Sequence, residues 1–310
     1  MVAAAPDVAK LHSSAAWQDN HVFHNIPCRY EQYRDQVDRE LAQMRRHGQR
    51  KVALMLWFAP LDQNQDCAGF LLNSRRGDGG EFGEQVISNL KWLIADARRL
   101  GFDELQLRFA PMDGADPRGW RSWDEPKFRQ NWNTIRSTIA GVGRPGGIRL
   151  VYDLGVELGG LTKGCAKQYV ERAWTLFNGE FTGVRSYGFS IALAPGRVAE
   201  LVRDLRAAGP IPGEIAIDDY DVADPGLAYV AKELEQTRGP ASVIVQEAPY
   251  ADTRFISRLR TQAVRYRVRI RTVMQWPLRS GRTGPISESS TPDFLYAPAA
   301  PQRAADAPSR

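Results

Sequence analysis

The chain has 310 residues, 43% hydrophobic, 25% charged and 10% aromatic, enough apolar material for a full-sized core, which excludes disordered, collagen-like and disulfide-scaffold classes. Its net charge of +5 comes from seven Lys and 34 Arg spread along the chain; with no basic stripe, Cys/His finger or RNA-recognition signature, nucleic acid is not an expected partner. The longest apolar run, near residues 52–60, falls far short of the roughly 20 residues that cross a bilayer, so no membrane span is expected.

Residues 1–16 read as a flexible N-terminal segment. Their opening MVAAAP has neither a basic n-region nor an apolar h-region. Location is therefore left open between the cytoplasm and, had a signal peptide been removed, a secreted or periplasmic site. From residue 17 onward a short β-rich run followed by an amphipathic helix recurs about every 30 to 40 residues. The first β-rich run is 21–26 (HVFHNI), followed by a helix over 32–47, where Val37, Leu41 and Met44 fall on one face and Gly48 supplies the stop. A strand over 51–58 leads through a Gly-, Asp- and Asn-rich loop at 61–82 to a helix over 84–100 ending at Gly101. A strand over 104–110 and a helix over 127–140 come next. Strands over 148–154 and 186–193 precede a helix over 197–208 that stops at Gly209. The last units are a strand over 214–219, a helix over 225–237 after Asp224, a strand over 242–247, a helix over 253–265 and a strand over 271–277.

Eight strands alternating with helices, with no G-x-G-x-x-G after the first strand and no P-loop, predict an α/β fold: a (β/α)8 TIM barrel forming a single domain over 17–296. Residues 297–310, rich in Ala and Pro, read as a flexible C-terminal tail.

A barrel of this kind places its chemistry at the C-terminal ends of the strands. There the sequence offers Trp57, Arg108, Asp153, Glu157, Asp218, Asp219, Tyr220, Gln246, Glu247 and Trp276. An acid that ends an apolar run such as SVIV is costly to bury alone, so Glu247 is expected to face a polar cavity or an arginine. Glu157 and Glu247 are the pair that glycoside hydrolysis requires, one carboxyl protonated to release the leaving oxygen and the other ionised. Trp57, Trp120, Trp123, Tyr220, Tyr250 and Trp276 present flat apolar faces suited either to sugar rings or to core packing.

The segments LVYDLGVELGG, SVIVQEAPY, TVMQWPL, LGFDELQLRFAP and IDDY carry a family resemblance. In order, they resemble the strand-four, strand-seven and strand-eight ends, the helix-to-strand passage and the strand-six end of clan A glycoside hydrolases, the 4/7 superfamily of (β/α)8 enzymes. The resemblance implies Glu157 as acid/base and Glu247 as nucleophile of a retaining hydrolase acting on a β-linked oligo- or polysaccharide. It also implies substrate-site roles for Arg108, Tyr220 and Trp276; Trp57, Asp153, Asp219 and Tyr250 complete the expected substrate-binding set. The sequence departs from the clan at Val156, where an Asn usually precedes the acid/base and holds the sugar 2-hydroxyl.

No cofactor is expected, and no metal: there are only four His, and His21 and His24 on a strand would point to opposite faces. No G-x-S-x-G elbow is present for serine catalysis. Cys28, Cys67 and Cys165 all fall on the presumed active face, either as free thiols or with one pair bridged. Two alternatives stand beside hydrolysis. One is a catalytically altered carbohydrate-binding barrel, suggested by Val156; the other is a phosphate-handling barrel lyase or isomerase, suggested by the loop at 279–284 (RSGRTG). Oligomeric state is not readable from the sequence.

Overall fold

The computed structural model describes residues 7–8, 18–19, 22–23, 26–46, 50–59, 71–72, 82–162, 164–219, 226–248 and 253–275. In chain order these form β1 (Asp7–Val8), β2 (Gln18–Asp19), β3 (Val22–Phe23), α1 (Ile26–Arg46), β4 (Lys51–Ala59), β5 (Leu71–Leu72), α2 (Glu84–Arg99), β6 (Glu104–Pro111), α3 (Glu125–Val142), β7 (Arg149–Asp153) and α4 (Cys165–Glu180). They continue with β8 (Arg185–Gly188), β9 (Ser190–Ala192), α5 (Arg197–Ala208), β10 (Glu214–Asp218), α6 (Leu227–Thr237), β11 (Ser242–Ala248), α7 (Thr253–Tyr266) and β12 (Arg269–Gln275).

Two parallel sheets, ordered β5-β4-β6-β7-β8 and β1-β12-β11-β10-β9, share one strand. That strand is β8 and β9, two pieces broken only at Phe189, where Gly188 (φ +80°) takes the left-handed turn that a side chain would resist. At the opposite seam, Lys51 Nζ on β4 donates to Thr272 Oγ1 of β12 at 2.9 Å. The architecture is a (β/α)8 barrel. Its helices lay apolar stripes on the strands, for example Val86, Leu90, Leu93 and Ala97 of α2 and Val198, Leu201, Val202 and Leu205 of α5.

Seven of the eight sequence-predicted strands are present to within about two residues at each end, with the fifth split into β8 and β9. The first is corrected. Within HVFHNI the described residues Val22 and Phe23 pair antiparallel with β2 rather than with a barrel strand, and helix α1 begins at Ile26. Pro27 suits a helix's first turn, where its missing N–H goes unused, and this draws the chain out of extended form. The first position in the barrel belongs to β1, whose Asp7 and Val8 pair with Thr272 and Val273 of β12. Helix α4 went unnamed in the sequence, although Tyr169, Val170, Ala173, Trp174 and Phe177 line its buried face.

Inside the barrel, β6 turns Leu105, Leu107 and Phe109 toward the helices and Glu104, Gln106 and Arg108 inward. Arg271 Nη1 grips Glu104 near the strand N-terminal ends (2.7 and 2.9 Å). Above that, Gln246 Nε2 donates to Gln106 Oε1 (2.6 Å) and to the Tyr187 hydroxyl.

Between α4 and α5, Lys167 pairs with Asp204, whose side chain is buried and whose Oδ2 accepts no hydrogen bond among the described residues. Burial pushes the Asp204 carboxyl up to about 6, against the pull of Lys167. An acid whose folded pKa is raised favours the fold most below its unfolded pKa and loses that contribution as pH rises through about 6. Asp204→Asn is therefore expected to gain on the wild type between pH 4 and pH 7, by up to ~3 kcal/mol. Thermal midpoints of the two proteins across that range check this, and a constant offset would show that Lys167 fully compensates the charge.

Candidate active site

Four strand ends converge on the Arg108 guanidinium, which is fully buried. Its Nε donates to Asp153 Oδ2 of β7 at 3.1 Å, and its Nη1 donates to Glu247 Oε1 of β11 at 2.6 Å. Its Nη2 donates to both oxygens of Asp218 on β10 (3.1 and 3.2 Å) and to Ser190 Oγ on β9 (3.1 Å). Burial opposes the guanidinium charge, but Asp218, Glu247 and Asp153 outweigh it and hold Arg108 well above its ordinary value. It is a permanent cation among three acids. Burial pushes the Asp153 carboxyl above its usual range, although Arg108 and the N–H groups of Gly155 and Ser190 (3.1 Å each) pull the other way.

Two consecutive residues of a regular strand cannot both point inward, yet Gln246 and Glu247 do, one reaching Gln106 and the other Arg108. The cause is a register shift: Ile217 faces Val245, while the next residue, Asp218, faces Glu247. The extra residue in β11 is a bulge that re-aims Glu247 into the barrel instead of toward the helices.

Glu157 lies in the turn after β7, with its backbone in the left-handed region (φ 57°) that non-glycine residues rarely occupy. Its N–H donates to Ser190 Oγ (2.9 Å), and its carbonyl accepts from Arg197 Nη2 (3.2 Å). Its carboxylate lies 3.9 Å from Arg118 Nη1, and Arg118 is itself gripped by Asp116 (2.8 Å). The side chain of Glu157 is 29% exposed and that of Glu247 only 3%. The two acids thus stand on the same end of the barrel in contrasting surroundings, one held inside by a buried guanidinium and the other partly exposed beside Arg118.

Of the other sequence-predicted site residues, Arg108 and Asp153 have no exposed side-chain surface. Arg108 grips Glu247, and Asp153 accepts from the N–H of Gly155, both from within the barrel. Asp219 is nearly buried; its Oδ2 accepts from Gly226 N (3.1 Å) and its own N–H donates to the Glu247 carbonyl (2.9 Å), so it shapes the backbone beside Glu247. Trp57 is half-buried in β4. Trp120 and Trp123 pack edge to face against each other, and Trp120 packs on Tyr169 of α4, a structural use. Tyr220, Tyr250, Trp276, Cys67, His21, His24 and the loop at 279–284 lie outside the described residues. Cys165 carries a free thiol. Ser190 and Arg118 were not foreseen: neither stands in a motif, and only the fold brings them to Glu157. Among the described residues, no group of three or more His, Cys, Asp or Glu side chains is arranged to hold a metal ion.

No protein-family model matches the chain, and no curated protein matches it. Solved structures do. The endo-1,4-beta-mannanase from Rhizomucor miehei is similar with a TM-score of 0.58 at 9% identity, covering 95% of this chain and 93% of that one. A beta-glucosidase is similar with a TM-score of 0.53 at 13% identity, covering 85% and 83%. The homocysteine methyltransferase MmuM from Escherichia coli is similar with a TM-score of 0.51 at 11% identity, covering 94% of each. What these share with the chain is the barrel fold, and the methyltransferase shows that barrel hosting other chemistry.

Proposed function

We propose that the protein is a glycoside hydrolase that cleaves a β-linked oligo- or polysaccharide by a two-carboxylate, retaining mechanism. The observation that carries this reading is Glu247, a carboxylate set at a barrel strand's C-terminal end by a bulge and clamped by a buried arginine, with the partly exposed Glu157 tied to the same cluster through one serine hydroxyl. A nucleophile must be aimed at the sugar carbon, and the contact with Arg108 fixes the Glu247 carboxyl in place. An acid/base must exchange protons with the leaving group and then with water, and Glu157 has the solvent access to do so. The sequence resemblance of both segments to clan A hydrolases, and the fold shared with a mannanase and a beta-glucosidase, support the same assignment.

Retention needs the two carboxyls to come within about 5 to 5.5 Å of each other around the sugar, whereas inversion leaves about 6.5 to 9.5 Å for a water. Incubation with a panel of β-linked glycans and aryl β-glycosides should yield new reducing ends, and NMR of the first product should show the substrate's own anomeric configuration. Val156, in place of the Asn expected before an acid/base, favours a second reading, a barrel that binds carbohydrate without cleaving it. Measurable affinity with no product from any glycan would select that reading.

A further inference from the structure

We infer that Ser190 is a positioning residue for Glu157, one that sets the acid/base in register with the nucleophile; the inference rests on the hydrolase reading above. The turn from 154 to 160 hangs on neighbouring backbone almost throughout. Leu154 N donates to Gly188 O (2.7 Å), Val156 N to Phe109 O (2.9 Å) and Gly159 N to Ser190 O (2.9 Å). Arg197 closes the far side on the carbonyls of Glu157 and Gly159. Gly160 is fixed too, since a Cβ there would meet the Arg197 carbonyl at 2.0 Å. Two N–H groups of the turn donate to side chains instead, Gly155 to Asp153 Oδ1 (3.1 Å) and Glu157 to the Ser190 hydroxyl.

That hydroxyl has two acceptor lone pairs, and the structure fills both, one from Glu157 N (2.9 Å) and one from Arg108 Nη2 (3.1 Å). Arg108 in turn holds Glu247 through Nη1. A single oxygen thus lies between the strained peptide of one glutamate and the guanidinium that clamps the other. The backbone N–H of Ser190 adds a further tie, to Asp153. Removing the hydroxyl leaves Arg108 its contacts with Asp153, Asp218 and Glu247, so the nucleophile keeps its clamp. Glu157 alone loses an anchor, at the residue whose left-handed backbone most needs one.

This asymmetry gives a test that a merely structural role would not pass. Proton donation by the acid/base matters for a poor leaving group and hardly at all for one such as dinitrophenolate, which departs unprotonated. Ser190→Ala should therefore cut kcat/KM, which reports formation of the glycosyl-enzyme, on a disaccharide or alkyl β-glycoside by roughly 10²-fold, within the range of lost general-acid catalysis, and leave kcat/KM for a dinitrophenyl β-glycoside within a few-fold of wild type. Ser190→Thr, which keeps the oxygen, should restore the wild-type dependence on leaving group. Should the alanine variant not fold, Ser190→Cys, with similar volume and a poor acceptor, carries the same comparison. Equal loss on both substrates, or none on either, would overturn the inference while leaving the hydrolase reading intact. A wild-type protein that cleaves neither substrate would remove that reading and the inference with it.

Discussion

Arg108→Met is expected to lower the stability of the fold by about 3–5 kcal/mol at pH 7, because breaking a buried ion cluster on its cationic side leaves uncompensated charge in a dry interior. Arg108 has no exposed surface, and its donors satisfy Asp153, Asp218 and Glu247 at 2.6 to 3.2 Å. Methionine spans much of the same length but donates nothing. At about 2–4 °C per kcal/mol for a domain of a few hundred residues, the midpoint should fall by about 10 °C. The variant should also recover part of the loss as pH drops from 7 toward 5. With the guanidinium gone, the largest pull against burial at Asp153 is lost, and protonation of that carboxyl then relieves the cluster. An unchanged midpoint, or one that falls further on mild acidification, would mean that solvent already reaches these carboxylates.

Glu247→Gln and Glu157→Gln are expected to separate the two roles by magnitude. The amide at 247 keeps an oxygen for Arg108 Nη1, so the fold should survive, but no nucleophile remains, and turnover should fall by roughly 10⁴-fold or more on every substrate. The amide at 157 removes only the proton donor and acceptor, and turnover on poor leaving groups should fall by roughly 10²- to 10⁴-fold. Initial rates, with folding checked by thermal midpoint, test both. Undiminished hydrolysis by the Glu247 variant would exclude it from the chemistry.

Much of this was legible in the sequence because each strand after the first is a β-branched or apolar run bounded by helix stops, and burial dictates such runs locally. The N-terminal stretch defeats that logic. Asp7 and Val8 pair with β12 over too little sequence to show any period, while HVFHNI reads as a barrel strand yet its described residues Val22 and Phe23 pair with β2 and a helix starts at Ile26. Glu247 could be picked out since an acid at the end of SVIV demands a partner, and Arg108 supplies it. That Gln246 and Glu247 both point inward could not, because the bulge is visible only in the registers of β11 against its neighbours β10 and β12. Ser190 is a plain serine in GFSIA; its role comes from Gly188 and Phe189 breaking the strand and turning its hydroxyl to Arg108 and Glu157. Alternation likewise hints that Glu104, Gln106 and Arg108 share a face, but not that the face is the barrel interior.

The central claim is that Glu247 attacks the sugar. Intact-mass analysis and peptide mapping after exposure to a 2-deoxy-2-fluoro β-glycoside with an activated leaving group test it most directly, because the fluorine slows breakdown of the glycosyl-enzyme formed in a retaining reaction. One added glycosyl unit is expected, mapped to Glu247 and absent from Glu247→Gln. An adduct on another residue, or none from a glycoside whose unfluorinated parent the protein hydrolyses, would contradict it.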